Sequence, residues 1–307
     1  MPETLLLAAG FAEDFKRELA RTYRLLDQPW HQLSTEERAQ VRAFVTFGHS
    51  KADLSLMEAL PNLGLICCYG SGYDGVDVGA AAARGIVVAY SPGANAASVA
   101  DFAMGLIIAG VRQILVADRF VREGRWKAGK LAPVRGLSER KLGIYGLGNI
   151  GAGIAARAAP FEMEIGYHGR QRREGVAHAY HADLVSLAAW ADVLVVSVRA
   201  DDGNRHSVDA GVLAALGPEG YLVNVARGSV VDQAALIAAL KQGTIAGAGL
   251  DVFEGEPDVP EELIAMQQVI LAPHIGAGSL SAHRARQTLV LANLEAFFTG
   301  KTLRDVA

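Results

Sequence analysis

Residues 141–151 read KLGIYGLGNIG: a short apolar run that turns on glycines 146, 148 and 151 and passes straight into the alanine-rich stretch NIGAGIAARAA. No other stretch limits the fold as much. A G-x-G-x-x-G turn between a strand and a helix belongs to a parallel α/β unit: the first glycine makes the tight turn, the second lets backbone approach a pyrophosphate, and the third lets helix pack on strand. The helix N-terminus then presents N–H groups and a positive dipole end to phosphate. The acidic reader of a ribose 2′-hydroxyl normally follows about 20 residues on. Here that neighbourhood is YHGRQRR, residues 167–173, which has no carboxylate. A carboxylate would repel a 2′-phosphate, whereas arginine guanidinium groups grip one as a fork. The pair of stretches therefore favours NADP(H) over NAD(H), with Arg170, nearest the strand end, as first candidate for the phosphate contact. The plainer alternative is a solvated basic turn.

The rest of the chain has the same alternation. Apolar runs (LLLAA, AFVTF, LGLICCY, GIVVAY) alternate with helical stretches at 12–26 and 52–60, which reads as one small open α/β domain. Residues 91–126 form one long helical pattern behind a Pro-Gly break, with Asn95 or Ser98 as N-cap. A second strand–helix series runs from 141 to 271, and a last helix at about 281–299 closes the chain; periodicity alone does not say which domain it joins. With 307 residues, about twice the usual domain length, two domains are expected. The 34 glycines suit many tight strand-to-helix turns.

A formal net charge of −4 offers no general attraction to nucleic acid or to an anionic membrane, so neither is expected as a partner. The longest apolar stretch, at 101–117, is broken by Arg112 and Gln113 and is too short to span a bilayer. Cys67 and Cys68 are adjacent inside an apolar run, which suits buried thiols rather than a disulfide framework or a metal site, and points to the cytoplasm. His178 and His181 lack a third ligand nearby, so no metal is expected.

Three strand ends carry candidate chemistry: VNVARGSVVD (223–232), AGLDVFEGEP (248–257) and LAPHIGAGS (271–279). They supply Arg227, Glu256 and His274. Open α/β sheets build their ligand crevice at such ends. An arginine holds a carboxylate, a histidine titrates near neutrality, and a glutamate bonded to that histidine would orient it and favour its charged form. Read singly, each also has an ordinary explanation: a surface arginine, a solvated glutamate in an acidic run, a capped or buried histidine.

Taken together with GSGYDGVD (70–77) and SVADFAMGL (98–106), these motifs resemble the D-isomer-specific 2-hydroxyacid dehydrogenase family, in order and spacing, from about residue 45 to the C-terminus. Within that family, YHGRQRR is similar to the NADPH-preferring glyoxylate/hydroxypyruvate reductase branch. The resemblance implies a Rossmann nucleotide domain (96–276) inserted into a flavodoxin-like substrate domain (1–95 plus 277–307), both open parallel sheets. It implies a homodimer through the long helix. It assigns catalysis to Arg227, Glu256 (rather than Glu254) and His274 as proton donor, and the substrate carboxylate to Arg227 and the backbone N–H groups of Ser71 and Gly72. The cofactor residues are Gly146, Gly148, Asn149, Ile150 and Gly151 in the loop, Arg170, Gln171 and Arg172 beyond the second strand, then Val198, Arg199 and Asp251, the last on the nicotinamide carboxamide. The expected reaction is NADPH-dependent reduction of a 2-oxo acid such as glyoxylate or hydroxypyruvate to a D-2-hydroxy acid. The competing reading is a non-catalytic NAD(P)-sensing, corepressor-like protein on the same fold. Two departures from the family stand out: Asn149 where the family commonly has arginine, and SVRADDGNRHS (197–207) where many members have a P-x-T segment.

Overall fold

The computed structural model describes residues 2–307 and divides the chain into two compact units. One comprises the residues up to Asn95 together with Ser279–Ala307; the other is Ala96–Gly278.

The first unit is a five-stranded parallel sheet of β1 (Thr4–Leu7), β2 (Arg24–Leu26), β3 (Val41–Thr46), β4 (Leu65–Cys68) and β5 (Val87–Ala89), in the order β2-β1-β3-β4-β5. Side chains alternate across a strand, so Leu6, Phe44, Ile66 and Cys68 fill the core on one face, and Leu5, Leu7, Val45, Leu65 and Cys67 the core on the other. The closing helix, Leu280–Phe298, covers this second face with Val290 and Leu294, both fully buried. Each such burial stabilises the fold by roughly 1.5–3 kcal/mol. The ambiguous last helix thus belongs to the first sheet. Cys67 and Cys68 are free and buried, and burial pushes the Cys68 thiol up to about 12.

Two expectations need correction here. The helix expected over 12–26 stops at Leu19, and Arg24–Leu26 is instead the edge strand β2, whose Leu26 turns into the core while Arg24 stays exposed. The long helical pattern of 91–126 is two helices, Ala96–Val111 and Ile114–Arg122, bent by 57°. Gln113 takes a left-handed conformation at the bend, donating its N–H to Gly110 and accepting from Ala117. Burial explains why the chain turns there. The first helix packs Val99, Ala103, Leu106 and Ile107 into the core of the second unit, whereas the second helix has no buried residue and exposes Ile114, Leu115 and Val121. Among the described residues no single helix is long and apolar enough to cross a membrane.

The second unit is a seven-stranded parallel sheet: β6 (Lys141–Tyr145), β7 (Glu164–His168), β8 (Ala179–Tyr180), β9 (Val193–Val196), β10 (Tyr221–Asn224), β11 (Gly247–Leu250) and β12 (Val269–Leu271), in the order β12-β11-β10-β9-β6-β7-β8. The strand order reverses between β6 and β9, which is where such sheets open a ligand crevice at the C-terminal strand ends. The short strand β8 carries no sequence signal of its own. Helix-borne side chains cover both faces of this sheet.

Candidate active site

The glycine loop lies at that switch point, between β6 and the helix Asn149–Ala158. Gly146 has φ +96°, and a Cβ there would sit 2.6 Å from the Val198 Cα. At Gly151 a Cβ would meet the Gly146 carbonyl oxygen at 2.1 Å. The middle glycine differs: around Gly148 a Cβ would touch nothing within 4 Å. Two glycines are thus needed by the protein's own packing, and the third leaves its backbone approachable, the property a pyrophosphate-binding turn requires. The Ser197 hydroxyl fastens the turn by donating to the Gly146 carbonyl at 2.8 Å.

In front of the loop is a cleft of about 790 Å³, lined by Gly146, Gly148, Arg170–Arg173, Val198, Arg199 and Asp201. The basic segment after β7 is shaped rather than loose: the Arg173 N–H donates to the Tyr167 hydroxyl at 2.8 Å, and the Tyr180 hydroxyl donates to the Gly169 carbonyl at 3.3 Å. An open glycine, a helix N-terminus and four arginines on one cleft fit the pyrophosphate and sugar-phosphate part of a dinucleotide. The candidates of the loop (Asn149, Ile150) open the helix, and those beyond β7 (Arg170, Gln171, Arg172) line the cleft, as do Val198 and Arg199.

The catalytic candidates stand at the ends of three neighbouring strands. Arg227 follows β10, Asp251 and Glu256 follow β11, and His274 follows β12. The structure pairs His274 with Glu256: Nδ1 lies 2.7 Å from Oε2, with side-chain exposures of 39% and 33%. The other glutamate oxygen accepts the Phe253 N–H at 2.9 Å, which fixes the carboxylate's orientation. One side of the pair meets an apolar hollow of about 300 Å³ walled by Phe253, Val259 and Leu271. Nε2, the other ring nitrogen, is the one left for substrate if Nδ1 carries the proton shared with Glu256.

His274 has φ +52°, in the left-handed region that non-glycine residues seldom occupy. Asp251 supports this turn. Its carbonyl accepts the His274 N–H at 2.9 Å, and its two carboxylate oxygens accept the N–H groups of Ile275 and Gly276 at 2.7 and 2.8 Å. Burial raises the Asp251 carboxyl above its usual value, while those two N–H bonds pull the other way. Ser98, a candidate N-cap, instead donates its hydroxyl to the Gly276 carbonyl at 2.8 Å and ties the same turn to the long apolar helix. Arg227 is half-buried at the end of β10; Asn224 Nδ2 donates to its carbonyl at 3.0 Å.

Ser71 and Gly72 lie in the first unit, in the turn after β4, where the Ser71 hydroxyl donates to Asn95 Oδ1 at 3.3 Å. Their loop is held close to residue 48, where a Cβ would overlap the Gly72 carbonyl oxygen at 1.7 Å. Among the described residues no cluster of histidine, cysteine and acidic side chains could hold a metal ion.

Sequence reasoning missed a second histidine–glutamate pair, His206 with Glu254, also at 2.7 Å, and the ion pair between Arg170 and Asp201. Only the D-x-G-N turn signature of residues 201–204 hinted that Asp201 caps a turn.

Residues 104–276 match the family model described as "D-isomer specific 2-hydroxyacid dehydrogenase, NAD binding domain". The chain belongs to that family. It is 40% identical over 303 residues to a glyoxylate/hydroxypyruvate reductase A of Arabidopsis thaliana, covering 97% of each chain. It is 36% identical over 304 residues to a hydroxyphenylpyruvate reductase of Plectranthus scutellarioides, again with 97% of both covered. The fold superposes with a TM-score of 0.92 on the NADPH-dependent glyoxylate/hydroxypyruvate reductase of Sinorhizobium meliloti in complex with NADP and malonate, at 38% identity, covering 100% of this chain and 97% of that one. The chain is accordingly an oxidoreductase, a D-2-hydroxyacid dehydrogenase, and its second unit is a pyridine-nucleotide domain.

Proposed function

We propose that the enzyme reduces a small 2-oxo acid, glyoxylate or hydroxypyruvate or a close relative, to the D-2-hydroxy acid, with NADPH preferred over NADH. The observation that carries the mechanism is the His274–Glu256 pair at 2.7 Å. The bound reduced cofactor supplies the hydride for the keto carbon. His274, oriented by Glu256, gives its proton to the developing alkoxide. Arg227 binds the substrate carboxylate and polarises the reacting carbonyl, since its guanidinium is always charged. In the first unit the amides of Ser71 and Gly72 serve the substrate carboxylate. Asp251 both braces the His274 turn and receives the nicotinamide carboxamide.

The cofactor preference rests on the arginine-lined cleft and on the absence of a carboxylate at the end of β7. The substrate reading draws on the relatives: three are named for glyoxylate or hydroxypyruvate, hydroxyphenylpyruvate and 2-ketogluconate, all of them 2-oxo acids. The protein works in the cytoplasm as a homodimer formed through the 96–122 helices, whose second member exposes Ile114, Leu115 and Val121.

The test is the ratio of kcat/KM for NADPH and NADH with glyoxylate and hydroxypyruvate, repeated with Arg170→Ala. NADPH should win in the unmutated enzyme and lose most of its lead in the variant. A lead for NADH in the unmutated enzyme overturns the cofactor assignment, and no turnover on a panel of 2-oxo acids overturns the reaction.

A further inference from the structure

The carboxylate missing from the end of β7 is present elsewhere in the same cleft. Asp201, in the loop after β9, forms an ion pair through Oδ2 with the Arg170 guanidinium. Both side chains line the cleft in front of the glycine loop. We propose that Asp201 sets the strength of the enzyme's preference for the phosphorylated cofactor, by competing with the 2′-phosphate for Arg170. This inference rests on the reading that Arg170 receives that phosphate.

The two partners differ in how firmly they are held. Arg170 is 86% exposed, so little of its side chain is packed against the protein. Asp201 is fixed by a closed set of bonds: Oδ1 accepts the Gly203 N–H at 3.0 Å, and its own N–H donates to Asn204 Oδ1 at 2.9 Å. Asn204 is itself buried and donates to the Arg199 carbonyl at 2.7 Å. An arriving phosphate can therefore take Arg170 away, but it cannot push the Asp201 carboxylate aside. The carboxylate stays as a negative charge facing a group that carries about −1.5 to −2 at neutral pH. A neutral ribose 2′-hydroxyl meets no such repulsion. With four arginines lining the cleft against this one carboxylate, the site still prefers the phosphate, though by less than the arginines alone would give. Asp201 thus keeps the unphosphorylated cofactor usable.

The test uses the whole protein and two half-cofactors, 2′,5′-ADP and 5′-AMP, which differ only in the phosphate. Calorimetry gives the affinity ratio between them. Asp201→Asn removes the charge and keeps the cap, because asparagine is as good an N-cap as aspartate. The ratio in favour of 2′,5′-ADP should rise about three- to tenfold in this variant, the range expected for one partly exposed charge, and the gain should shrink in about 1 M salt. Asp201→Ser, which also caps, should move the same way. A ratio that stays put or falls in both variants, in a protein whose unmutated form does favour 2′,5′-ADP, overturns this inference and leaves the cofactor reading standing. An unmutated protein that binds the two compounds equally overturns both.

Discussion

Two histidine–glutamate pairs have the same separation but not the same geometry, since His274 bonds through Nδ1 and His206 through Nε2. His274–Glu256 and His206–Glu254 both measure 2.7 Å, and the histidines share left-handed conformations at φ +52° and +53°. Each glutamate's second partner differs as well. Glu254 also binds the Arg205 guanidinium at 2.7 Å, so a permanent cation balances its charge whatever His206 does. Glu256 has a neutral second partner, the Phe253 N–H. No arginine shares Glu256 in the way that Arg205 shares Glu254. Identical distances can thus serve different ends: the first pair is the proposed proton donor, and the other latches the loop 199–208 to the segment that carries Glu256.

The largest effect should come from breaking the first pair. His274→Ala should lower turnover about 100-fold or more, the size of a lost general acid, while His206→Ala should change it by less than about threefold, as a partly exposed latch does. Steady-state kinetics on the two variants decide this, and equal losses would erase the distinction. Next, Glu256→Gln should reduce kcat about tenfold with KM nearly unchanged, because it disturbs the orientation of the acid and not the binding of substrate. Glu254→Gln, measured in parallel, should leave kcat within a factor of about three.

A smaller effect concerns the platform under His274. Asp251 has its carboxyl raised by burial, so the folded state takes up a proton there at a pH where the unfolded chain does not. Its contribution is complete below the unfolded value and is lost as pH rises through the folded one. Urea titrations of the unmutated protein and Asp251→Asn should hence show the difference moving in favour of the unmutated protein as pH falls from 7 towards about 4; a shift in the opposite sense would contradict the sign. The smallest effect should be Arg205→Ala, which removes a half-exposed ion pair and should cost under about 1 kcal/mol by the same urea titration.

What the sequence revealed and what it hid divide along chain separation. The glycine loop is legible because its form is local: a strand, a turn and a helix must follow one another within a few residues. The ends of β10, β11 and β12 are legible as neighbours because parallel sheets gather such ends along one edge. Asp201 was not legible, since its partner Arg170 is 31 residues away on a different strand's loop, and nothing in the sequence says that the two loops face one cleft. The choice of Glu256 over Glu254 came from family resemblance alone, because both lie in one acidic run. The bend at Gln113 was hidden for another reason: helical periodicity continues across it, and only the loss of a surface to pack against breaks the helix.

The closing helix has a consequence for how the chain comes to be folded. Val290 and Leu294 complete a core whose other members, Leu5, Leu7, Phe15, Val45 and Leu65, leave the ribosome first. Between the two contributions lies the whole of Ala96–Gly278, the second compact unit. The sheet that is synthesised first is thus completed late, and the part of that face not covered by Phe15 and Leu19 of the helix Glu13–Leu19 waits for Val290 and Leu294. A chain stopped after residue 278 should expose that face, bind a hydrophobic dye and aggregate, while the intact chain does neither.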